Sequence, residues 1–319
     1  MKVVEARQAF RVIVTGGRGF VGRHVVQALT TRGYDAVSFD LQDGQDICDA
    51  AAVEAAIRGA SAVVHLAAWA DLYAAKVDPT EAVRVNVLGT TVVANACRRE
   101  SARLIHGSTA CVYGNQAFYP STEAAVPNPT EIYAQSKLAA EQVIQGLVAS
   151  FGMDAVIVRF PGVYGAQLRS ALAVARFFER AFAGGVLEIH GDGLQTRTPI
   201  YVHDLVRGLV ALVGQRDVQG VLNLGTSEEI SALELAQRII RLVGRGSISH
   251  GPQRLPQTYR EHVDWRRANA MLGWSPHVSL DDGLARTRDW WVSAEARPLD
   301  HIGSNRAATL GGRLVCTTD

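Results

Sequence analysis

Five short apolar runs, separated by stretches with helical periodicity, constrain the fold of the first half of this chain. The runs are continuously apolar rather than alternating, as in strands that are covered on both faces of a sheet. They lie at residues 11–15, 36–39, 62–66, 103–107 and 155–159, and the helical patterns lie at 21–31, 50–58, 80–99 and 131–149. This alternation predicts an α/β fold with a doubly wound parallel sheet.

The first predicted strand runs directly into a glycine-rich turn. Gly16, Gly19 and Gly22 form a GxxGxxG pattern, and Phe20 and Val21 lie inside it. Such a turn lets the backbone approach a pyrophosphate closely, and the helix N-terminus that follows offers free N–H groups and a partial positive charge. The pattern is typical of a Rossmann-type nucleotide-binding domain, although a tight strand-to-helix turn without a ligand would produce the same glycines.

A carboxylate stands at the position that such a domain uses for a ribose. Asp40 ends the second predicted strand, 18 residues after Gly22, where it could accept both ribose hydroxyls of an adenosine or serve only as a cap. Neither of the next two residues is an arginine, which favours NAD over NADP, although Arg18 could meet a 2′-phosphate. Asp46 and Ile47 could flank the adenine, or they could belong to an ordinary surface loop.

The pattern changes after residue 165. A long helical pattern covers 168–183, a short strand covers 186–190, and a helix at 202–213 with a strand at 221–224 suggests a return to the sheet. Further helical patterns cover 231–243 and 266–272. We expect an NAD-binding Rossmann domain at 1–165 to which 200–226 returns, a smaller C-terminal substrate-binding domain at 166–199 and 227–296, and an arm or tail at 297–319.

Composition argues against several other classes of protein. The 319 residues carry a net charge of +1, whereas a nucleic-acid binder usually has a basic surplus. No apolar run approaches the roughly 20 residues that cross a membrane, and residues 1–10 lack the apolar core of a signal peptide. The four cysteines are scattered, which fits reduced thiols in a cytoplasmic enzyme. We assign no metal ligands.

The residues that could carry chemistry form a YxxxK pair. Tyr133 and Lys137 lie four residues apart in a helical pattern and therefore share a face. A lysine ammonium lowers the pKa of a neighbouring phenol from about 10, which makes it a usable acid or base near neutrality. The pair is common by chance, but the segment 107–114, with Thr109 at its centre, follows the fourth strand at the edge of the sheet where ligands bind.

The ordered series of motifs resembles the extended short-chain dehydrogenase/reductases, in particular the sugar-nucleotide epimerase/dehydratase family. The resemblance spans roughly residues 11–290. The matched motifs are the glycine turn, Asp40, Asp46-Ile47, His65-Leu66-Ala67-Ala68, Asn86 to Thr90, Thr109, Val112-Tyr113-Gly114, Tyr133 with Lys137, Arg159, Val163-Tyr164-Gly165, Gly191-Asp192-Gly193, Arg197, Tyr201 to Asp204 and Leu272-Gly273-Trp274.

The resemblance implies a role for each matched residue. Tyr133 would be the acid/base, Lys137 would bind the nicotinamide ribose and tune Tyr133, and Thr109 would bond the reacting hydroxyl. His65 would be structural, and Cys111 would be a packed side chain. The implied cofactor-binding residues are Gly16, Gly19, Phe20, Val21, Gly22, Asp40, Asp46, Ile47, Leu66, Ala67, Ala68, Asn86, Tyr133 and Lys137. The implied substrate-binding residues are Thr109, Tyr133, Gly162, Arg197 and Arg254, where both arginines suit a diphosphate but could also be surface charges.

Departures from the family pattern favour one reaction. Dehydratases carry Asp-Glu, and UDP-glucuronate decarboxylases carry Glu, immediately before Val-Tyr-Gly, where this chain has Ala110 and Cys111. Without an acid to protonate a leaving hydroxyl, 4,6-dehydration is not expected and decarboxylation is disfavoured. We therefore expect NAD-dependent 4-epimerisation of a UDP-hexose or UDP-hexuronate through a transient 4-keto sugar. Gly162 replaces an Asn that many relatives have, which affects a local substrate contact and not the fold.

Other hypotheses remain open. A 4-ketoreductase would have to exchange spent cofactor, usually NADPH, and Asp40 weighs against that. A non-catalytic NAD-binding regulator on the same fold typically loses the Tyr or the Lys, and both are present here. The resemblance also implies a homodimer in which residues 80–99 and 131–149 form a four-helix bundle, although burial within the monomer would explain their Ala- and Val-rich faces equally well.

Overall fold

A six-stranded parallel sheet forms the centre of the computed structural model, which describes residues 10–168, 172–253, 258–295, 308–310 and 313–315. Its strands are β1 (Arg11–Thr15), β2 (Asp35–Phe39), β3 (Ala62–His65), β4 (Arg103–Gly107), β5 (Ala155–Arg159) and β10 (Gly220–Asn223). They lie in the order β10-β5-β4-β3-β1-β2. The predicted doubly wound parallel fold is confirmed, and each predicted strand of the sheet agrees with these bounds to within one residue at either end.

The connections between the strands create a crevice. The chain runs from β1 to β2 at one edge and then crosses to β3 on the other side of β1. Because the connections diverge there, the loops that follow β1 and β3 leave space at their carboxyl ends, which is where ligands bind in open parallel sheets. The glycine turn and Leu66 lie at this point of the fold.

Helices cover both faces of the sheet. On one face, α1 (Phe20–Thr31) packs beside α8 (Val202–Gly214), and Val12 and Val14 of β1 are buried beneath them. Ile13 points to the opposite face, as the two-residue period of a strand requires. There the covering helices are α2 (Ala50–Ile57), α5 (Thr90–Glu100) and α6 (Ile132–Phe151).

The single helix predicted at 80–99 is wrong in its interior. The structure has α4 (Pro79–Val83), then a π-helical segment at Arg84–Gly89, and then α5. A side chain on Gly89 would stand 2.6 Å from Cδ1 of Ile47, so the π-helical segment is packed tightly against the loop after β2. Single π turns often occur at functional sites, and hydrophobic periodicity does not reveal them. The short helix α3 (Leu72–Val77) was also not predicted.

The remaining elements form small sheets and helices. The helix predicted at 168–183 begins later, because Leu172 is extended and α7 covers Ala173–Phe182, while 169–171 lie outside the described residues. The other bounds are β6 (Val163–Tyr164), β7 (Val186–His190), β8 (Thr196–Arg197), β9 (Ile200–Tyr201), β11 (Ile230–Ser231), β12 (Ser247–Gly251), α9 (Ala232–Val243), α10 (Arg266–Leu272) and α11 (Leu280–Glu295). Among these strands, β7 pairs with β12, β8 with β11 and β6 with β9.

Several of these elements carry no strong sequence pattern and were not predicted, α11 and the short strands other than β7 among them. Within the arm or tail expected at 297–319, β13 (Ala308–Leu310) pairs antiparallel with β14 (Arg313–Val315). The domain boundaries stay a prediction. None of the helices in the described part of the chain is long and apolar enough to cross a membrane.

Candidate active site

The glycine turn brings the start of α1 close to the end of β3. Gly16 has a φ of +68°, and a Cβ there would stand 2.8 Å from the Ala67 nitrogen. A Cβ on Gly22 would overlap the carbonyl oxygen of Gly16. No side chain caps α1 and no acidic residue lies in its first turn, so the N–H groups of Phe20 and Val21 are left for an anion. These features fit the pyrophosphate of a dinucleotide.

Asp40 both caps a turn and supports the glycine turn. Its buried carboxylate accepts the N–H groups of Arg18, at 2.9 Å, and Gln42, at 3.0 Å. The guanidinium of Arg18 is bound by a different carboxylate, with its Nε 2.6 Å from Oδ2 and its Nη2 2.5 Å from Oδ1 of Asp43. A ribose bound at Asp40 would therefore lie beside a negative charge. Arg18, the one arginine of the glycine turn, would not offset that charge because it is already paired with Asp43.

Asp46 and Ile47 hold the loop after β2 against the π-helical segment. Asp46 accepts the Cys48 N–H at 2.9 Å and bonds Nη1 of Arg84 at 3.0 Å. Burial raises the pKa of Asp46, but these two donors outweigh burial and hold it below its ordinary value. Ile47 is buried against Gly89. The proposed adenine contact of the two residues stays a prediction.

The exit of β3 is organised by Thr15. Its Oγ1 accepts the N–H groups of Leu66, at 3.2 Å, and Ala67, at 3.3 Å. The same hydroxyl lies 2.6 Å from Nδ1 of His65, whose Nε2 lies 3.0 Å from Oγ1 of Thr90. Burial, and then the charge of Lys137, lower the pKa of His65 to about 3. His65 is thus a neutral structural bridge, and the half-buried Leu66, Ala67 and Ala68 follow it at the end of β3.

Asn86 connects the crevice to the helix that carries the YxxxK pair. Its amide accepts the Trp69 N–H at 2.7 Å and donates to the Trp69 carbonyl at 3.2 Å and to Ser136 Oγ at 2.9 Å. Ser136 lies between Tyr133 and Lys137 and donates in turn to the Tyr133 carbonyl at 2.8 Å. Asn86 lies in the π-helical segment, so the irregular turn is what brings its side chain to these partners.

Thr109 lies at the end of β4 and begins a short helical turn, Ala110–Tyr113. Its Oγ1 accepts the Cys111 N–H at 3.2 Å. Helix α6 packs against this turn, and its Leu138 contacts the small apolar cluster that contains Ala110. Tyr133 is half-buried in the first turn of α6, and Lys137 is buried one turn further on. The structure thus brings α6 and the turn after Thr109 together at the carboxyl edge of the sheet.

Lys137 is an ionisable group in a dry environment. Burial lowers its pKa to about 8, although the carboxylate of Glu141 acts in the opposite direction. Burial and the charge of Lys137 also hold the pKa of His106 well below its ordinary range. The rings of His65 and His106 lie 5.2 Å apart. Two neutral imidazoles therefore border a lysine that is still mostly protonated at pH 7.

Glu141 was missed by the sequence analysis, and it links α6 to two strands. Its carboxylate accepts the Ser108 hydroxyl and lies 2.6 Å from Nη2 of Arg159 on β5. All three side chains are buried, and the Arg159 guanidinium lies 4.8 Å above the Tyr113 ring. Its spacing of four residues from Lys137 is the only signal in the sequence that indicates it.

The predicted substrate contacts are less well defined. Gly162 is exposed, and a side chain there would meet no atom within 4 Å, so the missing Asn leaves open space. Arg197 is half-exposed and donates to the carbonyl groups of Thr196 and Thr258, both at 2.8 Å. Arg254 lies outside the described residues.

A second missed residue lies against the turn that follows Thr109. The carboxylate Oε2 of Glu261 lies 3.2 Å from Sγ of Cys111, 150 positions earlier in the sequence. Burial, followed by the charge of Glu261, raises the pKa of Cys111, so this residue stays a thiol and donates to the carboxylate. The sequence analysis considered only the residues at positions 110 and 111, which carry no carboxyl group. The turn has none of its own, but one reaches it from a distant segment.

Comparison with known proteins agrees with this geometry. Residues 12–225 match the model of the NAD dependent epimerase/dehydratase family. The chain is 32% identical over 307 residues to UDP-glucose 4-epimerase of Mycolicibacterium smegmatis, covering 88% of this chain and 98% of that protein. It is 28% identical over 328 residues to UDP-glucuronic acid decarboxylase 1 of Danio rerio, covering 96% and 77%.

Solved structures give the same result. The UDP-glucose 4-epimerase of Thermus thermophilus, in complex with NAD, superposes with a TM-score of 0.83 at 28% identity, covering 89% of this chain and 99% of that chain. The prediction of NAD as cofactor is confirmed. The roles of individual site residues stay predictions.

The environment of Asp40 predicts the choice between NAD and NADP. A 2′-phosphate would be repelled by Asp40, and Arg18 is not free to compensate because Asp43 binds it. We expect NAD to bind at least about tenfold more tightly than NADP, and both Asp40→Ala and Asp43→Ala should narrow this preference in a calorimetric titration. Asp35→Ala, at the exposed start of β2, is the control. Equal affinities in the parent protein would contradict the assignment.

The burial of Lys137 predicts that this residue lowers the free energy of unfolding at neutral pH. Between pH 8 and 10.5 the unfolded chain holds a proton at this lysine that the folded chain has released, so stability should rise with pH across that window. Lys137→Met should remove this rise and increase the free energy of unfolding at pH 7 by about 2–3 kcal/mol in nucleotide-free protein. Urea unfolding at several pH values measures both effects, with Lys76→Met as the exposed control. An equal loss of stability in both variants would contradict the prediction.

Proposed function

This chain belongs to the NAD-dependent epimerase/dehydratase family, and we propose that it catalyses the 4-epimerisation of a nucleotide-activated sugar, a UDP-hexose or UDP-hexuronate, through a transient 4-keto sugar. The observation that carries the proposal is the make-up of the turn after β4. There the hydroxyl of Thr109 is followed by the methyl group of Ala110 and the thiol of Cys111. None of the three is a carboxylic acid.

Each residue of the site has a separate role in the proposed reaction. NAD, when bound, supplies the hydride acceptor and returns the hydride. Tyr133 removes the proton of the 4-hydroxyl group and gives it back, while Thr109 bonds the same hydroxyl. Lys137 keeps a positive charge one helical turn from Tyr133, because with a pKa of about 8 its ammonium is mostly protonated at pH 7.

The electrostatics of the turn support return of the hydride over elimination. Loss of a hydroxyl from the sugar requires an acid that donates a proton to the leaving oxygen. The Cys111 thiol has a raised pKa and donates to Glu261, which places this carboxylate in the role of acceptor. Return of hydride to C4 is then the favoured course for the 4-keto sugar, and return to the opposite face gives the epimer.

Decarboxylation of UDP-glucuronate is the second candidate. The similarity to a UDP-glucuronic acid decarboxylase over 96% of this chain favours it. So does the carboxylate of Glu261 beside Cys111, the position at which decarboxylases of the family carry a Glu. This candidate predicts carbon dioxide release, which 4-epimerisation does not.

The oligomeric state and location are also proposals. Val83 and Leu88 are 51% exposed, and Ile132, at the start of α6, is 43% exposed. Apolar side chains exposed on these segments support a homodimer formed through them. A cytoplasmic location stays a prediction.

The proposed roles of Tyr133 and Lys137 can be separated by substitution. Tyr133→Phe removes only a hydroxyl group, so folding and NAD binding should survive while turnover falls by roughly 10²–10⁴-fold. Lys137→Met should impair both turnover and NAD binding. Steady-state kinetics and calorimetric titration with NAD measure these effects, with Tyr73→Phe, on an exposed tyrosine of α3, as the control. Near-normal turnover in Tyr133→Phe would place the chemistry elsewhere.

A labelled substrate tests the reaction itself. UDP-glucose deuterated at C4 should give the C4 epimer with the label still at C4, at an equilibrium that is also reached from UDP-galactose. NMR of the products should detect no 4-keto-6-deoxy sugar, and UDP-glucuronate should release no carbon dioxide. Washout of the label into solvent would refute the mechanism, and carbon dioxide release would establish the decarboxylase instead.

A further inference from the structure

The segment 258–264 places a charge against the turn that follows Thr109, and we propose that Glu261, on this segment, is a specificity-determining residue that makes the site select a neutral hexose over a hexuronate. The inference rests on the proposed function, because it names the substrate class of the same site. We refer to residues 258–264 as the crossing segment, since they join β8 to the loop that precedes α6.

Glu261 is a buried carboxylate that is only partly paired. It is 5% exposed, and its Oε2 accepts the Cys111 thiol at 3.2 Å. Its Oε1 has no hydrogen-bond partner among the described residues. Cys111 is also bonded through its N–H to Thr109 Oγ1 at 3.2 Å, so this one residue connects the carboxylate to the side chain proposed to contact the reacting hydroxyl.

The crossing segment is anchored on both sides of Glu261. The Glu261 N–H donates to the Thr196 carbonyl at 3.1 Å, and its own carbonyl accepts the Thr198 hydroxyl at 3.5 Å. The next carbonyl, of His262, accepts the Ser121 N–H at 2.8 Å. Because the backbone is hydrogen-bonded at consecutive positions, the Glu261 carboxylate has a defined position. It can move away from Cys111 only by a change of side-chain rotamer.

The nearby cations do not neutralise this carboxylate by direct pairing. Arg260 binds Glu229 through two contacts of 2.7 Å. Arg197 acts on Cys111 through its charge, but its guanidinium donates to the carbonyl groups of Thr196 and Thr258. Among the hydrogen bonds of the described residues, the Cys111 thiol is the donor that reaches the carboxylate of Glu261.

A partly paired carboxylate in a low-dielectric site discriminates between two kinds of sugar. Its Oε1 is fully buried, so a bound sugar would meet Glu261 through its charge and not through a new hydrogen bond. A second carboxylate is repelled over several ångströms, because a buried charge is poorly screened by solvent. A hexose carries a hydroxyl on C6, where a hexuronate carries a carboxylate. The site should therefore bind the hexose nucleotide more tightly.

Binding to the NAD-loaded protein tests this without relying on turnover. We expect calorimetric titration to give UDP-glucose an affinity at least about tenfold higher than that of UDP-glucuronate. Glu261→Gln removes the charge and keeps the shape, so it should strengthen the binding of UDP-glucuronate and reduce the ratio of the two affinities about tenfold or more. Glu188→Gln, which makes the same change at an exposed glutamate of β7, should leave the ratio unchanged.

The possible outcomes separate this inference from the proposed function. Equal or tighter binding of UDP-glucuronate by the parent protein, or an unchanged ratio in Glu261→Gln, would overturn the inference even if the enzyme proves to be a 4-epimerase. The expected ratios without any epimerisation would support the inference and refute the proposed function. Failure to bind either nucleotide, or release of carbon dioxide from UDP-glucuronate, would overturn both. The ratio in the parent protein decides the matter if Glu261→Gln does not fold.

Discussion

The buried ion pair between Glu141 and Arg159 is the interaction on which the geometry of the site depends. Glu141 lies on the same face of α6 as Lys137, one turn away, and it also accepts the hydroxyl of Ser108, the residue before Thr109. Helix α6 is therefore bound to the ends of β4 and β5 at once. Removal of one member of a buried pair leaves an uncompensated charge and costs about 3–5 kcal/mol. Because any other arrangement would carry this cost, the ion pair keeps α6 beside the turn that follows Thr109.

The parts of this structure that sequence could predict are those specified by local patterns. The strand at Arg11–Thr15 and the glycine turn after it follow from apolar runs and from backbone conformations that exclude a side chain at Gly16 and Gly22. The segment Arg84–Gly89 could not be predicted in this way, because its π-helical turn depends on packing against the loop after β2 and on the tertiary partners of Asn86. Periodicity reports which side of a helix is apolar and does not report an inserted residue.

Glu261 shows why comparison at matched positions gives an incomplete account of a site. Ala110 and Cys111 are neutral, and a comparison limited to these two positions predicts a turn without a carboxyl group. The structure supplies one from a segment 150 residues later, held by backbone hydrogen bonds to β8. Electrostatic effects at short range depend on distance and burial, not on which element carries the charge. The neutral residues of the turn and the distant carboxylate must therefore be considered together when a reaction is assigned.

The surroundings of Lys137 suit a reaction in which nothing leaves the site between its two halves. His65 and His106 are buried and neutral. A positive charge on either ring would lower the pKa of Lys137 further and reduce the fraction of Lys137 that is protonated at pH 7. Thr15 and Thr90 bond the two nitrogens of His65 and thereby hold its ring in one orientation. In the proposed 4-epimerisation, the proton taken by Tyr133 returns to the same sugar, and so does the hydride. A dry site with one retained positive charge is sufficient for that cycle, whereas a reductase would also have to admit fresh cofactor after every turnover.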